Sequence, residues 1–173
     1  MDGGGGGVDQ SLFLLLNGWY PLGAIVWQAL SDPRAAFVLV AYVVWAAYRT
    51  QRGSVVVVAA IAFAITDPFC GMVLKPQFAE TRPCATLGRV WGPANIDGTT
   101  ACGSGYAMPS AHAANTMAVA AVLASPPLVG VSVLVGLSRV VTGQHWPSDV
   151  AAGWGIGAVV GALVRWLFGR VKQ

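Results

Sequence analysis

Apolar runs separated by short polar interruptions fill most of the chain. Six apolar stretches stand out, at residues 12–30, 35–48, 55–74, 111–124, 128–141 and 150–168. A helix crossing a bilayer needs about 20 apolar residues, so the shorter stretches must borrow their flanks to cross. The pattern predicts an all-α fold, an integral membrane bundle of six transmembrane helices. An even number of crossings puts both termini on one side. Ser31-Asp32-Pro33 stops one helix and starts the next. Residues 49–54 and Ser125-Pro126-Pro127 read as turns. Asp67-Pro68 falls inside the third stretch, where proline removes a backbone bond and predicts a kink. Asp67 reads as a local cap for that kink, with a buried partner for a cation as the alternative.

One long connection interrupts the alternation. Residues 76–109, between the third and fourth stretches, are rich in Gly, Pro, Thr and Asn. A loop of that length inside a compact domain is usually functional or disordered. Residues 1–10, with five glycines in a row from Gly3 to Gly7, predict a flexible tail. They have no basic n-region and do not resemble a cleaved signal peptide. Residues 11–173 are then expected to form a single membrane domain.

Composition supports the bilayer. Of 173 residues, 55% are hydrophobic and 10% charged, against about 25% charged in soluble domains. A net charge of +3, scattered along the chain, does not make a nucleic-acid face. Arg49 and Arg52 share one turn, and Arg165, Arg170 and Lys172 close the chain, which makes that side cytoplasmic by the positive-inside rule. Arg34, Lys75, Arg82, Arg89 and Arg139 fall on or near the other side in equal number. The rule decides only if some of these are held there for another purpose. Most of the seven tryptophans lie near span ends, as interfacial belts do, with Trp91 and Trp146 near enough to the polar clusters to shape a pocket mouth.

Such a purpose is visible in the polar residues themselves. Lys75 ends the third stretch as it emerges, Ser110 and His112 open the fourth, Arg139 and His145 follow the fifth, and Asp149 opens the sixth. Six crossings bring all of them, with Arg82, to one membrane face. Ionisable groups are expensive in such surroundings and mark function. Lys75, Arg82 and Arg139 suit phosphoryl oxygens, arginine as a bidentate fork and lysine as a point charge. Ser110 follows Pro109 at a helix start, where backbone N–H groups bind anions. Two histidines permit a nucleophile and a general acid. With Pro147 starting a helix, Asp149 lies in its first turn and can hold the imidazole of His145, as the orienting acid does in serine-protease triads. His112 is left as the acid for the leaving group.

Among the cysteines, Cys70 lies within an apolar stretch and reads as a small core residue. Cys84 and Cys102 share the outer loop, either as a bridge, which an oxidising compartment permits, or as two unpaired thiols. No CxxC pair or His/Cys cluster suggests zinc.

The spacing of these groups resembles a known family. Lys75 to Pro83, a lysine, six intervening residues and then Arg-Pro, resembles the first signature of the type 2 phosphatidic acid phosphatases. Pro109-Ser110-Ala111-His112 is similar to the second, in which glycine usually stands where this chain has Ala111. Residues 138–145, followed by Asp149, resemble the third. The resemblance implies a six-helix membrane bundle, a site facing the periplasm or exterior, and hydrolysis through a phosphohistidine without metal or other cofactor. By position it makes His145 the nucleophile, Asp149 its orienting acid and His112 the general acid. Lys75, Arg82, Ser110 and Arg139 would bind phosphate, and Cys84 after Arg82-Pro83, with 102–106 before Pro109, is similar to small bacterial members. The implied partners are the bilayer and a phosphorylated lipid: undecaprenyl pyrophosphate, phosphatidylglycerophosphate, phosphatidic acid or a lipid A phosphate. The expected place is the bacterial inner (cytoplasmic) membrane. Transfer of the phosphate to another acceptor, or a non-enzymatic anion transporter, are the competing readings, and a transporter predicts cations at several depths.

Overall fold

The structure, a computed structural model, describes residues 7–32, 34–50, 53–95 and 100–169. Among them the chain is helical, with α1 (Gly7–Asn17), α2 (Ala24–Ser31), α3 (Ala35–Thr50), α4 (Ser54–Pro68), α5 (Lys75–Phe78), α6 (Pro83–Thr86), α7 (Ala111–Leu123), α8 (Pro126–Val141) and α9 (Pro147–Gly169). No strand forms among the described residues, only an isolated bridge between Ala94 and Thr100. Two helical segments, Ser54–Thr86 and Pro147–Phe168, are long and apolar enough to cross a membrane. A third crossing is available if the bent pair Gly7–Leu22 and Ala24–Ser31 counts as one, and Ala111–Leu123 and Pro126–Val141 are shorter apolar helices.

The distribution of side chains suits an integral membrane protein. Phe37, Val38, Tyr48 and Met72 point outward and are more than 70% exposed, whereas His145 and Asp149 are almost completely enclosed. A soluble fold would reverse this order.

Packing is tightest between α7 and α9, through small residues. Gly153, Gly157 and Gly161 repeat every fourth residue and lie on Ser110, Ala114 and Ala118 of the facing chain. A side chain at Gly157 would overlap the carbonyl of Ala114. Close backbone approach of this kind lets membrane helices gain van der Waals contact where lipid supplies no hydrophobic drive. Ala59 and Ala62 of α4 and Val164 of α9 complete the core at the far end. Phe13, Ala113, Val140, Trp146 and Val150 form a second core beneath the polar site.

Four expectations change. The first apolar stretch is not one helix: α1 and α2 meet at 112° across a break containing Gly18, Pro21 and Gly23. Gly7 to Gln10 belong to α1, not to a tail, and Asp9 of that turn binds Ser148 at the start of α9. Residues 1–6 lie outside the described residues. The kink expected at Pro68 is replaced by a π-helical segment, Phe69–Leu74, that carries the chain on to Lys75. A π turn takes in an extra residue and so re-aims the side chains that follow, and such turns recur at functional sites. Asp67 does not cap; it accepts a hydrogen bond from Asn115 Nδ2 of α7 at 2.7 Å.

The described residues of the long 76–109 connection fold onto the bundle. Cys84 and Cys102 are joined in a disulfide, and Cys84 N donates to Gly143 O at 3.1 Å. Cys70 is buried and free, as a core residue.

The α7–α9 contact gives a paired prediction. Gly157→Ala should lower the thermal unfolding midpoint in detergent, at a cost of about 1–3 kcal/mol for overpacking. Gly155→Ala, on a face with no neighbour within 4 Å, should leave the midpoint where it is. Equal midpoints for the two variants would contradict this packing.

Candidate active site

The sequence-predicted residues come together where α7, α9, the α8–α9 turn and the long 76–109 loop meet. Pro147 starts α9 and places Asp149 in its first turn, four residues after His145. His145 Nδ1 lies 3.2 Å from Asp149 Oδ2, and the same oxygen accepts Trp146 N–H at 2.8 Å. Asp149 is enclosed completely and His145 is 2% exposed. With a carboxylate as its partner, Nδ1 carries the hydrogen, which leaves the lone pair on Nε2. That nitrogen faces Arg82 Nη1 at 3.3 Å.

Arg82 is 7% exposed and is held mostly by backbone carbonyls. Its Nε donates to Gly105 O at 3.1 Å, Nη1 to Gln144 O at 2.9 Å, and Nη2 to Ser104 O and Tyr106 O, both at 3.4 Å. Lys75 Nζ donates to Tyr106 O at 2.9 Å. Arg139 Nη1 donates to Ser31 O at 3.0 Å and to its hydroxyl. Among the described residues the only salt bridge is His145–Asp149, so none of these three cations has a carboxylate in contact. Burial lowers the pKa of His145 well below its usual 6.5, helped by the charges of Arg82, Arg139, Lys75 and His112. The imidazole is therefore neutral at physiological pH.

Ser110 stands just before α7, where its N–H donates to Asp149 O at 3.0 Å and its hydroxyl makes no capping bond. Ser110 Oγ and Arg139 Nε are both buried without a protein partner. Buried polar atoms in native proteins are nearly always bonded, so two such atoms beside unpaired cations mark a place for an anion. Ala111, the departure from the family pattern, opens α7 and is only half-buried. Trp146 does not line a pocket mouth; it is a core residue, 1% exposed, bonded to Thr81 O and set edge-on against Phe13 at 5.3 Å. Trp91 is exposed.

Three supporting residues escaped the sequence reading. Ser31, read only as helix punctuation, anchors Arg139. Gln144 clamps the disulfide loop through Gly103 N at 2.9 Å and Ala101 O at 2.7 Å. Asn17 joins α1 to the loop and to the end of α8 through Trp91 and Val141. An amide next to Gly18 in an apolar run was a usable signal for Asn17; nothing local distinguishes Ser31.

Comparison with known proteins places this arrangement. The PAP2 superfamily profile matches residues 53–173, well over half of the chain. The chain belongs to that superfamily. Its backbone is similar to the crystal structure of Aquifex aeolicus LpxE, with a TM-score of 0.67 and 20% identity over 92% of this chain and 95% of that one. It is also similar to a transmembrane PAP2-type phosphatidylglycerolphosphate phosphatase from Bacillus subtilis, with a TM-score of 0.59 and 17% identity over 96% of both chains. At these identities the likeness defines the fold.

Two curated relatives are closer in sequence over shorter segments. The decaprenylphosphoryl-5-phosphoribose phosphatase of Mycobacterium tuberculosis is 42% identical over 65 residues, 35% of this chain and 37% of that protein. The undecaprenyl-diphosphatase of Sulfolobus acidocaldarius is 45% identical over 65 residues, 34% of this chain and 32% of that protein. Each match thus spans about a third of the relative's length.

The electrostatics of His145 can be tested without substrate. The chain has two histidines, so His112→Asn leaves a single imidazole for nitrogen NMR. Its folded pKa is lowered, so the ring should stay neutral as pH falls to 6.5 and take up a proton only below that. A ring half-protonated at or above pH 6.5 would contradict the assigned burial and charge.

Proposed function

We propose that the chain is an integral membrane lipid phosphatase that hydrolyses a phosphate monoester or pyrophosphate of a membrane lipid through a phosphohistidine on His145, without a metal ion. The observation that carries this reading is a set of three cations with no carboxylate in contact, placed around a histidine whose second nitrogen is held by Asp149. Phosphoryl oxygens would supply the missing negative charge and the partners that Ser110 Oγ and Arg139 Nε lack. Arginine forks and a helix N-terminus are both suited to that ligand.

In the resting protein Arg82 Nη1 faces the Nε2 lone pair, so the guanidinium must turn toward a phosphoryl oxygen before Nε2 attacks phosphorus. The N–P bond forms as the P–O bond to the lipid breaks. His112, which takes up a proton once the bound phosphate offsets the charges of Arg139, Lys75 and Arg82, gives that proton to the departing oxygen. Asp149 stabilises the positive charge that His145 gains. In the second half, neutral His112 takes a proton from water; the water oxygen attacks phosphorus, the N–P bond breaks and inorganic phosphate leaves. Lys75, Arg82 and Arg139 hold the equatorial oxygens, where charge is greatest and fixed cations act most strongly.

For the substrate we favour a polyprenyl pyrophosphate. One curated relative is named an undecaprenyl-diphosphatase and the other a decaprenylphosphoryl-5-phosphoribose phosphatase, so both names carry a polyprenyl chain and the first a diphosphate. For the topology we favour six crossings in a bacterial inner membrane, with the site outside and both termini in the cytoplasm. The disulfide beside the site supports that orientation, since disulfides persist in oxidising compartments.

Purified protein in detergent should release phosphate from a polyprenyl pyrophosphate in the presence of EDTA, and faster than from phosphatidic acid. His145→Ala should lower kcat/KM by roughly 10⁴-fold or more, as loss of a covalent nucleophile does. Full activity in that variant would overturn the nucleophile, and activity lost in EDTA but restored by a divalent ion would overturn the metal-free reading.

A further inference from the structure

Glu80 lies inside the first signature but is not one of its defining residues; a role for it rests on the reading of Asp149 as the orienting acid of His145. Asp149 uses Oδ2 for both of its donors, His145 Nδ1–H and Trp146 N–H. Its other oxygen, Oδ1, is buried and receives no donor from any N–H or hydroxyl of the protein. Trp146 Nε1–H donates to Thr81 O at 2.9 Å, and Glu80 and Ser148 line one cleft, which sets the Glu80 segment against the start of α9; there the Glu80 side chain hydrogen-bonds the Asp149 carboxylate. Two carboxylates in contact can bond only if one of them carries a proton.

The surroundings decide which one. Asp149 sits in the first turn of α9, where the helix dipole favours negative charge, and it already accepts two N–H donors. Glu80 has neither advantage. Its neighbours are Asp149 on α9 and Asp9 on α1, both acidic, and Asp9 is itself bonded to Ser148 N and Oγ at 3.0 and 2.6 Å. Lys75 and Arg82, from its own segment, point to carbonyl oxygens on the phosphate side and make no salt bridge to it. His145 lies beyond Asp149, on its other oxygen. Glu80 also lines an open cleft of about 480 Å³ with Asp9, Leu12, Met108 and Ser148, whereas Asp149 has no exposed surface. The glutamate is thus the member of the pair that can exchange a proton with solvent.

We propose that Glu80 is a positioning residue, a protonated carboxyl that donates its hydrogen to Asp149 Oδ1 and so fixes the carboxylate that holds His145. The pair then carries one negative charge, and Oδ2 stays directed at the imidazole. Glutamine keeps the donor and alanine removes it. Glu80→Ala should lower kcat by about 10- to 100-fold, the scale of loss when a reacting group is mispositioned by an ångström or less, with KM nearly unchanged. Glu80→Gln should recover most of that rate.

The direct test is infrared difference spectroscopy of resting protein in ester-free detergent at pH 7. Wild-type protein should show the C=O stretch of a protonated carboxyl, and Glu80→Gln should remove it. Because the band is read without substrate or turnover, it survives if His145 proves not to be the nucleophile, so the two failures are distinguishable. No such band in the wild type, a band that persists in Glu80→Gln, or a glutamine variant no faster than the alanine variant would each overturn the proposal.

Discussion

The constraint on which the site depends is that three cations sit at one end of an apolar bundle with no carboxylate against them. Lys75, Arg82 and Arg139 are tied by carbonyl oxygens of Tyr106, Gly105, Gln144, Ser104 and Ser31. Carbonyls fix position and partly offset desolvation, but they do not neutralise charge. Direct carboxylate partners would have satisfied the cations and closed the site to anions. The carboxylates that are present, Asp149 and Glu80, lie behind His145, where they act on the imidazole and leave the cationic face free.

The fold serves this separation of charge. Glycine contacts bring α7 close to α9, so that Ser110 N–H reaches Asp149 O and the second and third signatures share one frame. The π-helical segment before Lys75 and the disulfide after Arg82 hold the two ends of the first signature. Gly143, at φ +79°, turns the chain from α8 into the segment that carries Gln144 and His145. In the left-handed region a side chain is strained, and one here would also meet Val90.

Much of this was legible in the sequence because charged residues in an apolar chain have few permissible places. Arg82, Arg139, His145 and Asp149 stood out for that reason, and Pro147, by starting a helix two residues after His145, put Asp149 within its reach. The 112° bend between α1 and α2 was less legible, since Gly18, Pro21 and Gly23 sit among residues as apolar as any span. Asp67 was misread because Asp-Pro is a local signal, whereas its partner, Asn115, is supplied by another helix. Ser31, Gln144 and Glu80 were invisible for the same reason. Each acts through a neighbour that only the tertiary structure brings, and none has a local pattern that sets it apart from a turn residue.

The central claim, that His145 attacks phosphorus within this cationic frame, is tested most directly by trapping the covalent intermediate. Wild-type protein mixed with polyprenyl pyrophosphate labelled in its terminal phosphate, and quenched during turnover, should carry label that is stable in alkali, lost in acid and confined to the peptide containing His145. The same treatment of His145→Ala should give no label. Label on another residue, or steady turnover with no labelled protein at any quench time, would contradict the account.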